Sequence, residues 1–164
     1  MRMRFYKTKK SLTTKNDAYA ACLRKLNYRD YSYQELKCFL EEQPELSDEF
    51  IADTLLILEN NGYINDRRFA HSLYNGWLDN SLKGKYHLIN KLHKYKINDD
   101  IINDYINTDT DELEINRAIV LIKKYIQSRD LDIYENKAKI FNYLKNQYYM
   151  PNIIFKAIEH LINK

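Results

Sequence analysis

The stretch KYHLINKL, residues 85–92, carries leucines at its fourth and eighth positions, on one face of a predicted helix. Apolar residues recur at the same two positions 52 residues earlier in YQELKCFL (33–40) and 52 residues later in KAKIFNYL (137–144). A helix face that returns at a constant offset is typical of a tandem-repeat protein. The spacing therefore predicts the middle helix of each of three repeating units.

Two further apolar stripes at helical spacing flank each middle helix. The upstream stripes include Ala18, Ala70 and Ala118, and the downstream stripes include Ile51, Ile102 and Ile154. Good N-caps for two downstream helices stand at Ser47 to Asp48 and at Asn98 to Asp100, and Pro151 suits the first turn of the third. We therefore predict an all-α protein of three tandem three-helix, helix-turn-helix-like repeats that form an elongated, curved modular array. The alternative is an irregular helical bundle without true repeats.

The repeat boundaries follow from these apolar columns. A basic N-terminal arm is predicted over residues 1–16, and residues 1–15 hold six Lys and Arg residues and no acid. The repeats are predicted over 17–64, 65–109 and 110–164. Nine of ten columns are apolar in all three copies, and only Thr54 breaks the pattern.

Composition excludes several classes of protein. Hydrophobic residues make up 45% of the 164 residues, too many for a disordered chain, and the apolar runs are too short to span a bilayer. The chain has no secretory h-region, so we predict a cytoplasmic protein. Cys22 and Cys38 form no CxxC pair and are interpreted as small hydrophobes in a reducing compartment.

Catalytic and cofactor motifs are missing from the sequence. The three glycines match neither a Walker loop nor GxGxxG, and neither HExxH nor GxSxG occurs. The four histidines are not at i, i+4 spacing, so no helix face presents a metal pair. We therefore predict a protein that is not an enzyme and holds no metal or cofactor.

Charge is distributed unevenly along a chain whose net charge is only +3. Bases are concentrated in the first two helices of the second predicted repeat, at Arg67, Arg68, Lys83, Lys85, Lys91 and Lys94. Lys85, Lys91 and Lys94 are predicted to share a solvent face opposite the leucines of their helix, where they would meet phosphates or an acidic partner surface. The alternative is a solvated helix face that aids solubility.

A recognisable signature stands where the first two predicted repeats meet. It reads GYINDRRFA at residues 62–70, followed by KGK at 83–85 and by Leu88, Leu92 and Ile97. Gly62 suits a left-handed turn that ends a helix, Tyr63 and Ile64 staple that turn, and Asn65 or Asp66 caps the next helix. This pattern resembles the signature of the RecX family, regulators of the RecA recombinase. The structural signature residues are Gly62, Tyr63, Asp66, Phe69, Ala70 and Gly84.

The sequence departs from the family pattern at two helix ends. Lys96 stands where family members usually carry a glycine, and Gln147-Tyr148-Tyr149 stands where a Gly-Phe turn is common. Because Asn or Lys adopts the left-handed conformation at modest cost, we expect these turns to be remodelled rather than the fold to be lost.

The resemblance implies a monomeric, non-enzymatic regulator that acts away from membranes. It would bind the RecA filament on single-stranded DNA and repress filament growth, ATP hydrolysis, strand exchange and co-protease activity. On that analogy the six bases at 67, 68, 83, 85, 91 and 94 are the candidates for contact with the filament, with any DNA contact weak or indirect. A helix-turn-helix-like DNA-binding protein and a generic helical scaffold remain the alternatives. Acidic residues at the starts of the third helices argue against the first of these.

Overall fold

The computed structural model describes residues 12–163, and all regular secondary structure in this range is α-helical, which confirms the predicted all-α fold. The helices of the described range are α1 (Lys15–Leu26), α2 (Tyr33–Glu41), α3 (Asp48–Asn60), α4 (Asp66–Asn80), α5 (Lys85–Lys94), α6 (Asp99–Ile106), α7 (Asp111–Arg129), α8 (Lys137–Asn146) and α9 (Pro151–Ile162). No helix between residues 12 and 163 is both long and apolar enough to cross a membrane.

Residues 1–11 of the predicted basic arm lie outside the described residues. Its last part belongs to the folded structure, because Leu12 is buried and α1 begins at Lys15. The Thr14 side chain accepts a hydrogen bond from the Asp17 N–H and so fixes the start of this helix.

Helix starts follow the capping residues of the sequence. Ser47 accepts from the Phe50 N–H and Asn98 accepts from the Asp100 N–H, which confirms both predicted N-caps. Pro151 occupies the first turn of α9, where its missing N–H costs no hydrogen bond. The starts of α1, α3, α6 and α9 are therefore set by local chemistry.

Four helices of the described range end in a left-handed residue, at Gly62 (φ 72°), Lys96 (φ 55°), Asp130 (φ 50°) and Tyr148 (φ 68°). In each turn the following N–H donates to the carbonyl four residues before the left-handed one, as in Tyr149 N–H to Leu144 O. This is the Schellman arrangement, which satisfies carbonyls that the helix leaves unpaired. The sequence departures at 96 and 148 therefore leave the turn geometry unchanged and place a side chain in a conformation that glycine adopts more easily.

The chain divides into two compact units, one through Phe69 and the other from Ala70 onwards. Leu36 and Leu40 lie fully buried in the first, as do Leu88, Leu92, Ile140 and Leu144 in the second. The predicted burial of all three middle-helix pairs is thus confirmed. Thr54, the exception in the apolar columns, is fully buried too, and its hydroxyl has no hydrogen-bond partner. The repeat boundaries and the curved array stay predictions.

Candidate interaction surface

Arg67 and Arg68 lie in the first turn of α4, within the first compact unit. The Arg68 backbone N–H donates to Asn65 Oδ1 at 2.8 Å, and its guanidinium donates to the Gly62 carbonyl at 3.0 Å. Arg68 thus helps to close the turn between α3 and α4. Both arginine side chains are nevertheless exposed, so a contact role for them stays a prediction.

The prediction that Lys85 shares a solvent face with Lys91 and Lys94 is wrong. Six residues are about 1.7 helical turns, so Lys85 lies about 120° from Lys91 around α5 and on the side of Leu88 and Leu92. Its ammonium is half-buried and donates to the carbonyls of Ile106 and Thr108 at the end of α6. Lys85 therefore ties α5 to α6 within the second unit.

A different set of side chains follows one side of α5. His87, Lys91 and Lys94 are spaced by four and three residues, so they lie along one face of α5. Lys83 precedes the helix and lies beside the same Tyr148 ring as His87, and these four residues are here called the α5 basic stripe. Lys91 and Lys94 are exposed, and Lys83 and His87 are half-buried. The sequence prediction missed His87, although its spacing of four residues from both Lys83 and Lys91 was the available signal.

Tyr148 packs against the first half of the α5 basic stripe. Its ring centroid lies 5.2 Å from that of His87 and 5.5 Å from the Lys83 ammonium. Burial, followed by the charges of Lys83 and Lys91, lowers the pKa of His87 below its usual value. His87 is therefore neutral near pH 7, and the positive charge of the stripe comes from its lysines.

Gly84 is the point where the backbone around α5 meets the end of α8. Its N–H donates to the Gln147 carbonyl at 2.9 Å, and a Cβ at this position would lie 2.2 Å from the Tyr148 carbonyl oxygen. Next to it, the Tyr149 hydroxyl donates to the Leu82 carbonyl at 2.6 Å. Only glycine fits this approach, which gives a physical reason for this signature residue.

A buried arginine and a tryptophan complete this junction in the second unit. The Trp77 indole N–H donates to the Lys83 carbonyl at 2.8 Å. The Arg117 guanidinium lies 4.9 Å from the Trp77 ring centroid and donates to the Leu78 carbonyl. These contacts fix the segment that leads into α5, so the α5 basic stripe is anchored to the rest of the second unit.

Two carboxylates cap the starts of α2 and α5. Asp66 Oδ1 accepts from the Tyr33 N–H at 2.8 Å in the first unit, and Glu114 Oε1 accepts from the Lys85 N–H at 2.7 Å in the second. Burial raises the pKa of both carboxyls above their usual values, and the backbone hydrogen bonds partly oppose that shift. The signature residue Asp66 thus caps α2, whereas Asn65 caps its own helix α4.

The other signature residues have mostly structural positions. Ile64, Phe69 and Ala70 are buried, which agrees with their predicted packing. Tyr63 is 46% exposed, and its N–H donates to the Leu58 carbonyl, so its backbone helps to close the turn. The staple by its side chain stays a prediction.

Acidic residues occupy the first turns of α3 and α6, at Asp48 and Glu49 and at Asp99 and Asp100. Across residues 12–163 no group of three or more His, Cys, Asp or Glu side chains is placed to hold a metal ion. The bases of α5 and the acids of α6 thus give the second unit neighbouring regions of opposite charge.

No family model matches the chain. Its sequence is 26% identical over 136 residues, 83% of the chain, to the regulatory protein RecX of Staphylococcus haemolyticus (strain JCSC1435). It is 30% identical over 132 residues, 75% of the chain, to the regulatory protein RecX of Streptococcus sanguinis (strain SK36). The chain spans about half the length of these curated relatives, 51% in each case.

Two solved structures resemble the chain over a larger share of its length than these sequence relatives do. The crystal structure of RecX from Lactobacillus salivarius superposes with a TM-score of 0.81 at 25% identity, over 92% of this chain and 97% of that one. A second crystal structure of a regulatory protein RecX has a TM-score of 0.74 at 21% identity, over 89% of this chain and 73% of the other, and shows a common fold.

Proposed function

The chain belongs to the RecX family of regulatory proteins, and from that premise we propose that it regulates the RecA recombinase. In this proposal it binds the RecA filament on single-stranded DNA and represses filament growth, ATP hydrolysis, strand exchange and co-protease activity. The observation that carries the proposal is the similarity to RecX in both sequence and fold over most of the chain. The chain acts by binding and catalyses no reaction of its own.

The α5 basic stripe is the proposed contact surface for the filament. Its exposed ammonium groups, on Lys91 and Lys94, match phosphates or acidic side chains of a partner, and its support at Gly84 and Trp77 fixes their position. Arg67 and Arg68 form a second proposed contact in the first unit. Lys85 is left out of the surface because its ammonium is used within the fold.

A RecA ATPase assay on single-stranded DNA tests this proposal. The chain should inhibit hydrolysis below one molecule per RecA subunit, if it stops the addition of further subunits. The double variant Lys91→Glu/Lys94→Glu should need about tenfold more protein for the same inhibition, because reversing two contacting charges costs about 1.4 kcal/mol or more. Its stability should stay within about 0.5 kcal/mol of the parent, since both residues are exposed.

Lys123→Glu/Lys124→Glu is the matched control. These two lysines of α7 are also exposed, and the control changes the net charge by the same amount. If both double variants inhibit equally well, the stripe is not the contact. If the parent leaves RecA activity unchanged at equimolar concentration, the proposed function fails.

The helix-turn-helix alternative is tested in the same preparation. The third helix of each predicted unit would enter the groove, yet α3 and α6 begin with acids and α9 begins with Pro151. The chain should therefore bind duplex DNA without RecA only weakly, with an affinity that falls steeply as salt rises. Sequence-specific, salt-resistant binding to bare DNA would favour the alternative.

A further inference from the structure

An apolar groove runs between α8 and α9 in the second unit. The rings of Phe141 and Phe155 lie 5.3 Å apart at its centre, and Ala138 and Ile158 complete the apolar lining. Phe155 is 56% exposed, which is unusual for a phenylalanine whose neighbours Ile154 and Ala157 are fully buried. The groove lies on α8 and α9, whereas the proposed filament contact lies on α5.

The groove has a basic border. Helix α8 carries no acid, and its exposed Lys137 and Lys145 lie four residues before and after Phe141, on the same helix face. The Lys137 ammonium lies 5.8 Å from the Tyr134 ring centroid. An occupant of the groove therefore meets positive charge on the α8 side, which favours an acidic molecule.

The start of α8 lacks the carboxylate that caps two other helices. In the proposed repeat register Lys137 occupies the position of Tyr33 and Lys85, whose N–H groups donate to Asp66 and Glu114. Among the described residues no carboxylate reaches the Lys137 N–H, and the Asn136 side chain makes no capping bond. Because carboxylates accept from the N–H groups of Tyr33 and Lys85, a carboxylate is also the group that fits the Lys137 N–H. A partner helix with an acid in its first turn would supply it.

The corresponding groove in the first unit is polar, so an apolar groove is not a necessary product of this helix pair. It lies between α2 and α3, where Lys37 and Glu41 form an ion pair at 3.7 Å beside Asp48. In the proposed register Phe141 replaces Lys37, and Phe155 replaces Ala52. The exposed rings are therefore specific to α8 and α9.

We propose that the α8–α9 groove docks an acidic amphipathic helix of a partner protein. A carboxylate in the first turn of that helix accepts from the Lys137 N–H, and its apolar residues lie against Phe141 and Phe155. A strongly basic segment is a poor occupant, because it would meet the lysines of α8. Helix-in-groove binding of this kind takes its affinity from the apolar anchors and its orientation from the charged end.

An NMR titration of the full chain tests the docking site. The probe is an N-acetylated, C-amidated peptide with the sequence of residues 110–122, which has acids in its first turn and includes the glutamate that caps α5 in the fold. The peptide should shift amide signals of Lys137–Asn142 and of Phe155–Ile158. No shifts at millimolar peptide, or shifts confined to other helices, would overturn the proposal.

Variants of Phe155 and of the peptide test the apolar anchor and the carboxylate contact separately. Phe155→Glu should weaken peptide binding by about tenfold or more, as loss of an apolar anchor does. Leu56→Glu is the matched control, since Leu56 is 54% exposed on α3, and it should bind the peptide as the parent does. A peptide with Lys in place of Glu114 should bind more weakly; equal binding would overturn the carboxylate role.

Self-association is the competing occupant. If sedimentation shows a dimer that Phe155→Glu returns to a monomer, the groove is an interface between two copies and the proposal of a different partner is wrong. A monomer that binds the peptide supports the proposal. Both results are independent of RecA, so failure here leaves the proposed function of the α5 basic stripe standing.

Discussion

Helices α2 and α5 occupy corresponding positions in the proposed repeats, yet their first turns are stabilised differently. At the start of α2, Ser32 and Glu35 form a capping box, and Asp66 accepts a further bond from the Tyr33 N–H. At the start of α5 the N-cap is Gly84, which has no side chain, and Glu114 accepts from the Lys85 N–H. One helix start therefore combines local and distant caps, and the other depends on a distant carboxylate.

The difference follows from what lies next to each N-cap. Gly84 approaches the Tyr148 backbone too closely for any side chain, so a serine cap is sterically excluded there. Glu114 supplies the missing acceptor from α7 and is only 2% exposed, whereas Asp66 is half-buried. Close packing around Gly84 thus excludes a local side-chain cap at the start of α5, and the buried carboxylate of Glu114 caps the helix instead.

Gly84→Ala should have the largest effect of the changes at these helix starts. Its Cβ would lie 2.2 Å from the Tyr148 oxygen and 2.6 Å from the Tyr148 carbonyl carbon, and backbone atoms cannot rotate away. We expect a loss of about 3 kcal/mol or more in the free energy of unfolding, at the upper end of overpacking costs. Urea unfolding followed by circular dichroism measures it.

Ser32→Ala is the control at the corresponding position of α2. It removes a capping hydroxyl without adding bulk, so it should cost about 1 kcal/mol. Equal losses at the two positions would mean that the approach of Gly84 to Tyr148 is not a determinant of the fold.

Glu114→Ala should cost about 2 to 3 kcal/mol, since it removes a buried carboxylate and leaves the half-buried Lys85 N–H without an acceptor. Asp66→Ala should cost about 1 kcal/mol, because Ser32 and Glu35 still cap α2. The difference between the two variants, measured in the same unfolding experiment, is the test. A larger loss at Asp66 would reverse the comparison between the two helix starts.

Local patterns in the sequence predicted the helices and several of their ends. The all-α fold, the buried leucine pairs and the caps at Ser47 and Asn98 all depend on neighbours within a few residues. The tertiary caps could not be predicted in this way, because 33 residues separate Asp66 from Tyr33 and 29 separate Glu114 from Lys85. No spacing rule pairs residues so distant in sequence.

The interaction surface was predicted less well, for an identifiable reason. The prediction groups Lys85 with Lys91 because Lys85 lies nearly two helical turns before it, although a separation of six residues does not return to the same helix face. His87, at a separation of four, was the better partner and was missed. Whether Lys85 is exposed also depends on the carbonyls of Ile106 and Thr108, whose position only the tertiary structure gives.

A pH titration separates the carboxylate charge of Glu114 from its hydrogen bond. Burial raises the pKa of Glu114 in the folded chain, so its contribution to stability is complete below the unfolded pKa of about 4.3 and is lost as pH rises through the folded pKa. Glu114→Gln keeps an acceptor and does not titrate. The variant should therefore gain stability relative to the parent as pH rises above the unfolded pKa of about 4.3. A stability difference that does not change with this rise in pH would show that Glu114 carries no desolvation cost.

Lys96→Gly, at the other end of α5, should have the smallest effect and the opposite sign. The residue after the C-cap of α2, Gln43, is not left-handed, whereas the residue after the C-cap of α5, Lys96, has φ 55°, where a side chain is strained. Glycine removes that strain of about 1 to 2 kcal/mol but adds freedom to the unfolded chain, so the net gain should be about 0.5 to 1 kcal/mol. Tyr148→Gly, in the corresponding turn after α8, should give no such gain, because it also removes the ring that packs on His87. The urea midpoints of the two variants decide the matter. If Lys96→Gly destabilises the chain, contacts of the lysine side chain outweigh the backbone strain, and α5 is held better at its end than at its start.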